Sequence, residues 1–140
     1  MRTEFILTMF ICIAILLLAC VIPALEHSRQ GDYYAEQELW DEAISEYTEA
    51  IELDPELAEA YVNRARAHIN LGQHELAIVD CNKAIELDPE LYTAYLSRGL
   101  CYEIQGNKNQ ALADYQRVVT LSQDAALIEK ARQRLEALED

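Results

Sequence analysis

The sequence predicts an all-α solenoid of three helix–turn–helix repeats with a C-terminal capping helix and an N-terminal apolar helix. Three observations carry this prediction. The heptapeptide Ile-Glu-Leu-Asp-Pro-Glu-Leu occurs at 51–57 and again at 85–91, a step of 34 residues. Residue size recurs at the same step: Gly31, Ala65 and Gly99 are small, Ala43, Ala77 and Ala111 are identical, and Tyr47, Cys81 and Tyr115 fill space. Punctuation recurs as well. Gly72 and Gly106 suit the left-handed end of a helix in mid-unit, and Asp54-Pro55 and Asp88-Pro89 close units because the residue before proline leaves the α region.

The first element is apolar. From Phe5 to Leu25 no charged residue occurs, and 21 residues suffice to cross a hydrocarbon core of ~30 Å as a helix. Arg2 and the terminal amine precede it against Glu4, and Glu26 comes after it, which orients the amino terminus inside and the repeats outside the cytoplasm. A buried core helix is the alternative, but three repeats and a cap close a core without it. Three forms stay open: a retained single-pass anchor, a cleaved signal peptide, and a lipoprotein signal. The lipoprotein form rests on Leu16-Leu17-Leu18-Ala19-Cys20, which resembles a lipobox and would make Cys20 the lipid-bearing residue. The expectation is a membrane-anchored chain with extracytoplasmic repeats.

The repeats occupy units 24–57, 58–91 and 92–123. Apolar residues fall at helical spacing, as in Ala77, Ile78, Cys81, Ala84 and Ile85. Glu38 stands where the other units place their turn glycine, which predicts a strained turn costing about 1 kcal/mol. Cys81 in place of tyrosine predicts a less filled middle unit, and Gln123 in place of proline predicts a third unit running directly into the capping helix. That helix, 124–140, carries an apolar stripe of Leu127, Ile128, Ala131, Leu135 and Leu138. Its opposite face, with Glu129, Lys130, Arg132, Gln133 and Glu136, reads as solvated.

These residues resemble the tetratricopeptide repeat over roughly 24–123. The resemblance implies a concave groove formed by the first helix of each unit. Its positions fall on Leu25, Ser28, Arg29, Asp32, Ala35 and Glu36; on Glu59, Val62, Asn63, Arg66, Ile69 and Asn70; and on Thr93, Leu96, Ser97, Leu100, Glu103 and Ile104. The expected peptide-binding set is Val62, Asn63, Arg66, Ile69, Asn70, Leu96, Ser97, Leu100 and Ile104, with Asn63 offering both a donor and an acceptor. A subfamily holds chaperone carboxylate tails with two lysines, an arginine and two asparagines. Only Asn63 matches that clamp; Ser28, Asp32, Thr93 and Ser97 occupy its other positions, so no chaperone-tail binding is expected.

Enzymatic chemistry has no signature here. There is no phosphate-binding glycine loop and no nucleophile elbow, and His27, His68 and His74 lack metal-ligand spacing, so neither cofactor nor metal is expected. Cys81 and Cys101 read as buried thiols, although an exported domain would permit their disulfide. A net charge of −14 disfavours nucleic acid and anionic lipid, and favours a basic or amphipathic protein partner. The functional expectation is a membrane-anchored adaptor holding a protein or peptide segment in the groove. The alternative is a self-associating structural envelope lipoprotein, pairing through its ends, its cap stripe or Cys101.

Overall fold

Helical periodicity becomes paired helices in the computed structural model, which describes residue 9 and residues 21–139. Seven helices occur among these residues: α1 over 21–36, α2 Trp40–Leu53, α3 Ala58–Asn70, α4 His74–Leu87, α5 Tyr92–Ile104, α6 Lys108–Leu121 and α7 Ala125–Glu139. The odd-numbered helices form an inner layer, with α3 on α5 and α5 on α7, and each of α2, α4 and α6 packs outside them.

Each turn is explained by its own residues. Glu38, Gly72 and Gly106 adopt φ of 60°, 74° and 77°, so the glutamate is forced into the left-handed conformation that its counterparts reach freely. At the unit ends the Asp54 and Asp88 carboxylates accept the backbone N–H of Glu56 and Glu90. The hydroxyls of Tyr61 and Tyr95 donate to the carbonyls of Pro55 and Pro89, tying each inner helix to the turn before it. The third unit does not run on directly. Ser122 is extended, and the Asp124 carboxylate accepts the N–H of Ala126 and Leu127, starting α7 as a separate helix without proline.

Core packing reuses one motif with one variation. A Cβ on Gly31 would lie 2.5 Å from Cε1 of Tyr47, and one on Gly99 would lie 2.7 Å from Cε1 of Tyr115. In the middle unit Ala65 supplies that carbon and Cys81 takes the place of the ring. Both are fully buried in a cluster with Ala77 and Cys101, so the unit is filled by a different pair. The thiols of Cys81 and Cys101 are free. At the end of the stack Ala131 is buried, and Leu127, Leu135 and Leu138 pack against Tyr95, Tyr115 and Val118. The stripe on α7 thereby covers the apolar side of the last unit.

Two ion-pair staples run between layers. Arg64 donates from Nε and Nη2 to both carboxylate oxygens of Asp80 at 2.8 Å, and from Nη1 to Thr48 of the preceding unit at 3.0 Å. Arg98 repeats this with Asp114 at 2.9 and 2.7 Å and with Asn82 at 2.6 Å. One guanidinium thus joins three helices. The planar fork matches a carboxylate bidentately, and lysine could not reproduce it.

The amino-terminal expectation is corrected. Among the described residues no helix is long and apolar enough to cross a membrane. Val21–Leu25, the end of the apolar stretch, run unbroken into α1. Ala24 is fully buried on the face shared with Ser28 and Gly31, at the spacing of one side of a helix, so that face joins the repeat core, while Val21, Ile22 and Leu25 are exposed. The membrane-anchored, extracytoplasmic placement is thus carried by no helix among the described residues, and most of the stretch expected to span the membrane, within 5–20, lies outside them. Cys20 and the rest of the lipobox lie outside the described residues.

Candidate peptide-binding groove

The inner helices leave a continuous concavity made of two adjoining hollows. One, of about 430 Å³, lies between α3, α5 and α7 and is lined by Arg66, Ile69, Asn70, Leu96, Ser97 and Leu100, together with Tyr115, Lys130, Gln133 and Arg134. The other, of about 460 Å³, lies between α1 and α3 and is lined by Asp32, Ala35, Glu36, Trp40, Tyr47, Asn63 and Ala67. Arg66 and Asn70 border both, which makes the two one groove.

Most of the expected binding residues meet there. Asn63, Arg66, Ile69, Asn70, Leu96, Ser97 and Leu100 all line it. Two do not. Val62 is 3% exposed, covered in a core cluster that includes Ala94 of the neighbouring inner helix. Ile104 is 52% exposed at the end of α5 and borders neither hollow.

Asn63 is less free than its sequence position implies. Its Nδ2 donates to Asp32 Oδ1 at 3.1 Å, and the Tyr47 hydroxyl donates to the same oxygen at 2.8 Å. Burial, followed by that bond to Asp32, pushes the Tyr47 phenol far above its ordinary range, so it remains a donor. At the other end the Tyr115 hydroxyl donates to Glu103 Oε2 at 2.6 Å, and Arg134 Nη1 donates to Oε1 at 3.1 Å. Burial again comes first in holding the Tyr115 phenol protonated, with the Glu103 bond next.

Sequence reasoning missed the contribution of α7. Lys130 and Gln133 belong to a face read as solvated, yet with Arg134 they form a wall of the hollow between α3, α5 and α7. The residues signal polarity but not the direction in which that polarity points. The histidines serve packing and local bonding: His27 Nδ1 lies 2.8 Å from Glu46 Oε2, and buried His68 places Nδ1 2.6 Å from the side-chain Oε1 of Gln73. His74 has a buried Nδ1 with no hydrogen-bond partner among the described residues.

Comparison with known proteins matches this architecture. Models of the tetratricopeptide repeat match residues 58–91 and 92–124, and a TPR repeat model matches 31–72. The chain is 36% identical over 56 residues to the Hsp70-Hsp90 organising protein of Plasmodium falciparum, covering 40% of this chain and 10% of that protein. It is 44% identical over 52 residues to human small glutamine-rich tetratricopeptide repeat-containing protein beta, covering 37% of this chain and 17% of that protein. The chain therefore spans less than a fifth of these relatives. Among solved structures, the first TPR of Spaghetti (RPAP3) bound to HSP90 peptide SRMEEVD superposes with a TM-score of 0.77 at 30% identity, covering 86% of this chain and 96% of that one. The Arabidopsis OM64 TPR domain gives 0.78 at 30% identity, covering 84% and 98%. With three successive units matched and whole repeat domains superposed, the chain belongs to the tetratricopeptide repeat family.

Proposed function

We propose that this chain is a non-enzymatic protein-interaction module, an adaptor that holds an extended or amphipathic segment of a partner in the concave groove. The observation that carries this reading is the groove itself. Ile69, Leu96 and Leu100 form an apolar floor beside the polar groups of Asn63, Asn70 and Ser97 in one continuous concavity. An apolar floor favours side-chain burial, and flanking amides and hydroxyls satisfy a peptide backbone. The related RPAP3 domain bound to an HSP90 peptide supports the class of ligand. The particular tail is another matter: Ser28, Asp32, Thr93 and Ser97 supply no cation at the clamp positions, and Asp32 disfavours a terminal carboxylate beside Asn63.

A photo-reactive residue placed at Ser97 in living cells tests this reading, with the same residue at exposed Val79 on the outer helix α4 as comparison. Discrete partner adducts from position 97 and none from 79 are expected. Identical adducts from both positions, or none from 97, would remove the groove from the function.

A further inference from the structure

The groove is polarised by charge, against the sign of the molecule as a whole. The chain carries 25 acidic residues against 11 basic ones. Yet the hollow between α3, α5 and α7 is lined by Arg66, Lys130 and Arg134 and by no carboxylate, while Asp32 and Glu36 line the hollow at the α1 end, which Arg66 also borders. Lys130 and Arg134 lie four residues apart on α7 and project from one face, opposite Arg66 on α3. Glu103, the acid bonded to two of the lining residues, has one oxygen held by the Tyr115 hydroxyl and the other by Arg134. It leaves Arg66 and Lys130 without an ion-pair partner among the described residues. Unpaired cations facing a half-enclosed, partly apolar hollow are placed to meet an anion where Coulomb attraction exceeds that of open water.

We propose, on the basis of the groove reading above, that the α5–α7 end of the groove binds side-chain carboxylates of an acidic residue internal to the partner segment. Apolar residues of the segment lie beside it on Ile69, Leu96 and Leu100. The occupant is thus an acidic-apolar stretch with its acid toward α7, and Asp32 and Glu36 exclude the reverse placement. This replaces the basic partner suggested by net charge, because a groove recognises its local field and not the molecular average.

The test is selection by the full chain from a displayed library of random twelve-residue segments, flanked on both sides by carrier sequence so that no terminal carboxylate is offered. Wild type, Arg66→Glu combined with Lys130→Glu, and Leu100→Glu are compared. Arg66 and Lys130 are exposed and outside the core clusters, so their reversal leaves the fold intact, and thermal melting verifies this. Wild type is expected to enrich Asp or Glu at one fixed distance from an apolar pair, and Glu→Gln in a selected segment should weaken binding about tenfold. The doubly reversed variant should enrich Lys or Arg at that place. Enrichment of apolar segments without an acid, abolished by Leu100→Glu, would overturn the charge proposal and leave the groove reading standing. Failure to enrich any segment, or enrichment insensitive to Leu100→Glu, would overturn both.

Discussion

Gly31 and Tyr47 are a matched pair: a methyl group on the first would fall 2.5 Å from the ring of the second. Gly99 and Tyr115 repeat the match, and Ala65 with Cys81 inverts it. Gly31→Ala is therefore expected to destabilise by about 1–3 kcal/mol despite the better helix propensity of alanine. Adding Tyr47→Cys should recover part of that loss, and Cys81→Tyr should be tolerated only with Ala65→Gly. Urea unfolding of the single and double variants measures the coupling; strict additivity would contradict the pairing.

The Arg64–Asp80 staple makes a second prediction. Both side chains are largely buried, at 19% and 7% exposure, and the guanidinium also reaches Thr48. Asp80→Ala strands a half-buried cation and should cost about 3 kcal/mol. Arg64→Lys keeps the charge but loses the fork, for about 1–2 kcal/mol. Equal losses from the two substitutions would show that charge alone matters.

Turn strain can be measured directly. Glu38→Gly relieves a φ of 60° and should stabilise by about 1 kcal/mol. Gly72→Ala should destabilise by about 1 kcal/mol through the backbone alone, since a Cβ there meets nothing within 4 Å. A neutral Glu38→Gly would mean that this turn carries no strain.

Helices, turns and the cap stripe were readable because each rests on local residues: periodicity, glycine with Glu38 in its place, and proline. The inter-layer staples were not, although Arg64 and Arg98, and likewise Asp80 and Asp114, recur at the 34-residue step. A recurring charge reads as a solvated face until the neighbouring layer is in place. Val62 was misplaced for a related reason, since the close approach of α5 buries it. The wall formed by Lys130 and Arg134 depends on how α7 sits over α5, which no local pattern encodes.

Alkaline pH should destabilise the fold. Burial, reinforced by Glu75, pushes the Cys101 thiol from an ordinary 9.0 up to about 11. Burial likewise comes first in raising Cys81, Tyr47 and Tyr115. The unfolded chain loses these protons first, so stability is complete below pH 9.0 and falls as pH rises through about 11. Melting temperature across that window checks the sign, and a rise would contradict it.

The peptide SRMEEVD, seen on the related RPAP3 domain, is expected to show no dependence on its terminal carboxylate here. Its free-acid and amidated forms should give the same calorimetric titration with the full chain. Tighter binding of the free acid, lost in Asn63→Ala, would restore the clamp.

The most direct measurement is amide chemical-shift mapping of the full chain as a library-selected segment is added. The concave-groove account predicts the largest shifts at Asn63, Arg66, Asn70, Ser97 and Leu100, with Val79 and Asn82 on α4 unmoved. Shifts centred on α4 or α6, with the groove silent, would contradict it.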